Sequence, residues 1–194
     1  AIQKKEDRSE RVACATSSPS LLMIGSIEPH KSHAQALDAL EKLWEEGIDI
    51  NLSIAGKSKF QERSFIKRIN SHPFLNDKLF LIEDPSDEEV KALYTHTVGL
   101  LFLSQKEGFA LPLVEAANHN LPILCSDLPI FHEIAGKWAF YIQLESPQNV
   151  ANQIKQWWKC YNEQSLKETK HMPRTTWEES AKRLLNLSIG RTDE

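Results

Sequence analysis

The sequence predicts an α/β fold: a Rossmann-like, doubly wound parallel sheet of about six strands with helices on both faces. Three observations predict it. Short, uninterrupted apolar runs recur along the chain, the pattern of strands buried on both sides. Between them, apolar residues return at three- and four-residue spacing, the mark of helices with one buried face. The length, 194 residues, suits one domain with a single core.

In chain order, residues 1–19 are polar, with a charged start and Thr16-Ser17-Ser18-Pro19 at the end, and read as a linker. The first strand is 21–24, closed by Gly25. Leu37, Leu40, Leu43 and Trp44 mark the first helix, with Ser32 as its N-cap and Gly47 as its stop. A second strand at 51–55 is closed by Gly56, and a helix through Phe65, Ile66 and Ile69 leads to a third strand at 78–82. Ser86 and Glu89 form a capping box ahead of Val90, Leu93 and Tyr94. The strongest strand is 98–103, followed by a helix through Leu113, Val114, Ala116 and Ala117, a strand at 122–126 and a shorter run at 140–144. Two amphipathic helices close the chain. One carries Val150, Ile154, Trp157, Trp158 and Tyr161, whose aromatic rings read as core, and the other Trp177, Ala181 and Leu184.

In such sheets ligands bind beyond the carboxyl ends of the strands, which directs attention to the loops after Ile24, Ala55, Ile82, Leu103 and Cys125. Composition narrows the ligand. The net charge is -4 and the basic residues are scattered, so no nucleic-acid-binding surface is expected. No run is long enough to span a membrane. Three cysteines, Cys14, Cys125 and Cys160, show no C-x-x-C spacing and fit a reducing, cytoplasmic setting. The seven His show no H-x3-H spacing and no D-x-D pair is present, so no metal is expected. No G-x-G-x-x-G follows the first strand, which argues against a dehydrogenase.

The loop after the strongest strand reads Ser104-Gln105-Lys106-Glu107-Gly108-Phe109-Ala110-Leu111-Pro112-Leu113-Val114-Glu115. A Pro in the first turn of a helix, preceded by Gly and small residues, makes a helix N-terminus whose N–H groups face outward, a ready anion site. Glu107 precedes that turn and Glu115 lies about two turns in, roughly 10 Å along the axis. A ligand touching both carboxylates must be long, with an anionic middle and hydroxyls at both ends, as a nucleoside diphosphate sugar is. Taken singly, each residue has a plainer reading: the helix dipole favours Glu107 without a ligand, and Glu115 suits an exposed helix face.

The run from Glu107-Gly108-Phe109-Ala110-Leu111-Pro112 to Glu115-Ala116 resembles the E-x7-E signature, usually EGFGLPxxEA, of the family 4 retaining glycosyltransferases of the GT-B fold. Other segments agree in order. Met23-Ile24-Gly25-Ser26-Ile27-Glu28-Pro29-His30-Lys31 is similar to the family's first-strand loop, Leu52-Ser53-Ile54-Ala55-Gly56-Lys57 to its second strand, and Ser86-Asp87-Glu88-Glu89 with Leu93-Tyr94 to its SDEEL..LY segment. Asn120-Leu121-Pro122-Ile123 and Phe131-His132-Glu133-Ile134-Ala135-Gly136 resemble its G-x-P-V and EVAG segments, and Thr176-Trp177-Glu178 its terminal FSWE.

This resemblance implies a donor-binding C-terminal domain over 20–188, with 1–19 as an interdomain linker or leader and 189–194 as a tail. It implies that Glu107 faces the donor sugar, that Glu115 binds the ribose hydroxyls, and that Lys31 offsets the charge of the leaving nucleotide. Gly25, Ser26, His30, Lys57 and the backbone of Gly108, Phe109, Ala110 and Leu111 complete the donor site, with no metal. The implied partners are a nucleotide sugar and a glycan acceptor held by a further N-terminal domain, at the cytoplasmic face of the membrane. The subgroup is similar to mannosyltransferases of bacterial surface polysaccharide, which implies GDP-mannose as donor. Four positions depart from the pattern. Ser26 and His30 stand where the family often has Arg, which also supports a second reading: a domain of a larger protein that binds a sugar nucleotide without transfer, or serves as a regulatory or scaffolding module. Ala110 replaces a Gly and is expected to have ordinary φ; Asn120 replaces another and suits a left-handed turn.

Overall fold

A computed structural model describes residues 12–13, 15–58, 62–173 and 177–188. Six strands form one sheet: β1 Ser20–Ile24, β2 Asn51–Gly56, β3 Leu79–Glu83, β4 Gly99–Phe102, β5 Ile123–Ser126 and β6 Ala139–Ile142. All pair in parallel in the order β3-β2-β1-β4-β5-β6, the doubly wound order. Leu21 faces Leu52 on one side and Gly99 on the other, so β1 and β4 are neighbours although two strands and three α-helices separate them in sequence. The chain reverses its direction of winding there, and a crevice opens at their carboxyl ends.

Seven helices are described: α1 His33–Glu45, α2 Arg63–Asn70, α3 Asp87–His96, α4 Leu111–Asn118, α5 Pro129–Ala135, α6 Pro147–Asn162 and α7 Trp177–Ser188. Alternation along β1 divides the core. Leu21 and Met23 join Leu37, Leu40, Phe65, Ile69, Ile154 and Trp157 beneath α1, α2 and α6. Leu22 joins Tyr94, Leu113, Ala117 and Phe131 beneath α3, α4 and α5. Trp157 is fully buried, its indole against Gly99, while Trp158 and Tyr161 stack on each other at 5.3 Å and are half-buried.

Local chemistry accounts for the helix ends. Gly47, at φ +77, sends its N–H to the Trp44 carbonyl while Ile48 donates to Leu43, a Schellman stop. The Ser86–Glu89 capping box is complete in both directions. Ser32 departs from expectation: it precedes α1, but at φ +55 its hydroxyl makes no cap bond and instead accepts from Gln105 Nε2 at 3.2 Å. Helix α5 is an addition, since the stretch after β5 reads as a long loop; Pro129 starts it and Phe131 and Ala135 bury its inner face. Val12 and Ala15, within the segment read as linker, are buried in the α3–α5 side of the core. Cys14, Thr176, residues 1–11 and the tail 189–194 lie outside the described residues.

Candidate active site

Two loops meet at the reversal point. The loop after β1 runs through Gly25 to a 3-10 turn, Pro29–Lys31, and the loop after β4 runs from Leu103 to α4. Backbone hydrogen bonds tie the loops together. Gly25 N–H donates to Ala55, Ile27 to Lys57, Asp84 to Gly56 and Gln105 to His30, so the loops after β1, β2, β3 and β4 form one continuous rim. Gly25 is at φ +123 with open space where a Cβ would stand. Gly56 is the opposite case: at φ +152, an added Cβ would sit 1.7 Å from the Gly25 carbonyl oxygen.

Lys31 and Glu107, 76 residues apart in sequence, form an ion pair on this rim. Their side chains are 15% and 14% exposed. Ser104, fully buried, donates to the same Glu107 oxygen at 2.7 Å, and the Phe102 ring lies 4.8 Å from the Lys31 ammonium. Glu107 is therefore held by a cation and a hydroxyl, and two of the three Lys31 N–H donors are left for a ligand. Ser104 and Phe102 were not singled out from sequence, although the three-residue step from Ser104 to Glu107 is a local signal for the first.

Beyond Glu107 the chain turns sharply. Ala110 is at φ +66, ψ +57, so its backbone does adopt the left-handed conformation that its type was expected to avoid. Its methyl is buried in the core beside Leu113, and that packing holds a conformation which costs alanine about 1–2 kcal/mol. Asn120, at φ +55, follows expectation. Gly108 is exposed with open space around it, and Phe109 and Leu111 are 56% and 48% exposed, leaving two apolar side chains at the mouth of α4.

Glu115 lies on the exposed face of α4 and accepts a hydrogen bond from the Tyr94 hydroxyl at 2.7 Å. Beside them, Asp87, Val90, Lys91, Asn118 and His119 line a groove of about 280 Å³ between α3 and α4. Burial, then the charge of Glu115, pushes the Tyr94 phenol well above its ordinary range, so it stays a neutral donor. The remaining predicted residues are more peripheral. Ser26 donates to Glu28, and His30 lies 3.9 Å from the other oxygen of the same carboxylate. Lys57 is exposed and pairs with Asp84 at 3.0 Å, apart from the Lys31–Glu107 pair.

His33, at the start of α1 behind the rim, is 5% exposed and its Nδ1 has no partner. Desolvation drives its pKa from 6.5 down to about 4, with the Glu28 backbone bond opposing and Lys31 and His30 adding to the fall. The unfolded chain takes up this proton near pH 6.5 and the folded chain only near 4. The stability this neutral imidazole permits is therefore full above pH 6.5 and declines as pH drops towards 4, by about 1.4 kcal/mol per unit. Denaturant titrations at pH 7 and 5 should differ by about 2 kcal/mol from this residue, and His33→Gln should lack that difference.

Comparison with known proteins bears on the family and the fold. The profile of the family described as glycosyl transferases group 1 matches residues 4–172. The chain is 41% identical over 179 residues to the serotype-specific mannosyltransferase WbdA of Escherichia coli, covering 92% of this chain and 22% of that protein. The C-terminal domain of a glycosyl transferase group 1 protein, LpcC of Francisella tularensis, superposes with a TM-score of 0.68 at 14% identity, over 96% of this chain and 94% of that one. Anabaena Alr3699/HepE, solved with UDP and glucose, superposes at 0.69 with 15% identity, over 94% of this chain and 50% of its own. The chain thus spans about a fifth of the curated relative and about half of HepE. The six-stranded parallel sheet superposes on GT-B glycosyltransferase domains, and the family match over most of the length shows that the chain belongs to the glycosyl transferases group 1 family.

Proposed function

We propose that this chain is the donor-binding half of a mannosyltransferase that carries mannose from GDP-mannose to a growing surface glycan, with retention at the anomeric carbon. The observation that carries the reading is the meeting of Lys31, Glu107 and the N-terminus of α4 at the reversal point of the sheet. Diphosphate charge is met by the Lys31 ammonium and by the N-terminal end of α4, where the Leu111 N–H and the helix dipole act; Pro112 carries no N–H and that of Leu113 is taken by the Ala110 carbonyl at 3.0 Å. Glu107, anchored by Lys31 and Ser104, faces the sugar, and the nucleoside lies along α4 towards Glu115, whose carboxylate accepts from the ribose hydroxyls. Lys31 and the helix end supply the electrostatic work, and no metal enters this scheme.

Mannose as the sugar is supported by the name of the relative WbdA. The acceptor is held by a further N-terminal domain across the rim, where Phe109 and Leu111 are exposed. The free thiols Cys125 and Cys160 support a cytoplasmic setting, with peripheral attachment to the inner face of the membrane. A second reading, binding without transfer, is favoured by one observation. Ser26 and His30 both face Glu28, so Lys31 is the one permanent cation between residues 25 and 31. Calorimetry of this chain with GDP-mannose, UDP-glucose and GDP should give binding strongest for GDP-mannose; no heat with any of them would sink the donor reading. Transfer by the full-length protein separates the two readings.

A further inference from the structure

We infer that Tyr94 is a positioning residue for nucleotide binding: it holds the Glu115 carboxylate in the one orientation that receives a ribose. The inference rests on the donor reading above and adds to it a residue whose ring would otherwise count as core. Glu115 projects from an exposed helix face, where an unpartnered glutamate samples several rotamers. The Tyr94 hydroxyl reaches it from α3 and donates to Oε2 at 2.7 Å.

The donor itself is fixed. Tyr94 is 2% exposed, its ring is packed with Leu93, Leu113 and Ala117, and the His119 imidazole stacks on it at 5.3 Å and 10°. A phenol turns on two side-chain torsions, and both are locked here by packing. One Glu115 oxygen is thus anchored, and Oε1 with the free lone pair of Oε2 remains to accept from two neighbouring hydroxyls. The groove between α3 and α4 opens at this carboxylate and has room for a nucleoside.

Tyr94→Phe keeps the ring and removes only the donated bond. Binding of GDP and UDP, each beside its 2′,3′-dideoxy counterpart, is measured for the wild-type chain and the variant, with thermal unfolding as the check on folding. The wild-type chain should prefer the ribose form of the nucleotide it binds. Tyr94→Phe should weaken that form about 5- to 10-fold, leave the dideoxy form unchanged, and so shrink the preference. In a Glu115→Ala background the same change should have no further effect on either ligand, because the group it positions is gone.

An equal loss for ribose and dideoxy forms would mean a packing role and would overturn the inference, as would a preference unchanged in Tyr94→Phe. If Tyr94→Phe melts far below wild type, the comparison in the Glu115→Ala background decides: an added loss there also overturns it. Absence of any nucleotide binding by the wild-type chain would instead bring down the donor reading and this inference with it. A ribose preference in the wild-type chain that shrinks in Tyr94→Phe, with the dideoxy form unchanged, supports both.

Discussion

Gly56→Ala is expected to lower the unfolding free energy by about 3–5 kcal/mol, a large share of the roughly 5–15 kcal/mol of an ordinary domain. Two costs add. Gly56 is at φ +152, a conformation open to glycine and strained for alanine. Its new methyl would also meet the Gly25 carbonyl oxygen at 1.7 Å, and this neighbour is backbone on the end of β1, unable to swing aside as a side chain can. Either β1 and β2 part at their carboxyl ends or the Gly25 loop is displaced, so nucleotide affinity should fall together with stability. Gly108→Ala, with open space around it and exposed, is the matched control and should change stability by less than about 1 kcal/mol. The denaturant midpoint at constant slope measures both. A Gly56→Ala chain with a wild-type midpoint would contradict the close approach of the two loops.

Breaking the Lys31–Glu107 pair should produce the largest loss of function. If the full-length protein transfers sugar as proposed, Glu107→Gln and Lys31→Met are each expected to reduce its turnover about 10²- to 10³-fold, or roughly 3–4 kcal/mol of transition-state stabilisation. The magnitude follows from the setting. Both side chains are about 15% exposed, so the charges act through a medium poorer in water than a free surface pair. Glu107→Gln keeps an oxygen that can accept from Ser104 but removes the negative charge that pairs with Lys31, and should lower kcat above all. On the donor reading proposed above, Lys31→Met removes the cation assigned to the diphosphate, and should raise KM as well. Loss of one partner also strands the other, at about 1–3 kcal/mol of stability, which chemical denaturation reads separately. Full activity in both variants would remove the pair from the reaction.

Local signals were legible where one segment decides the outcome alone. The runs that became β1 to β6, the Ser86–Glu89 box and the Gly47 stop each depend on neighbours in sequence. Helix α5 escaped because seven residues with two buried side chains give too short a period to distinguish from a loop. Ser32 and Ala110 escaped for a different reason. Both occupy left-handed backbone that their residue types disfavour, and the deciding contacts, Gln105 for one and the core beside Leu113 for the other, come from elsewhere in the fold.

The site divides in the same way. Glu107, Lys31 and Glu115 were named through a resemblance of motifs, but the distance between Lys31 and Glu107 is a product of the sheet order, which sets β1 beside β4. Tyr94 was half legible: the helical stripe predicted its buried ring, and nothing in the stripe reveals that its hydroxyl ends 21 residues away on Glu115.

The backbone bonds that join the loops after β1, β2, β3 and β4 bear on how a ligand is received. Loop entropy that many binding sites surrender on meeting a ligand is lost here when the sheet assembles, so the donors are already aimed in the empty protein. Affinity and folding are thereby coupled. A change that loosens any one loop is felt at the others, even at positions that touch no ligand.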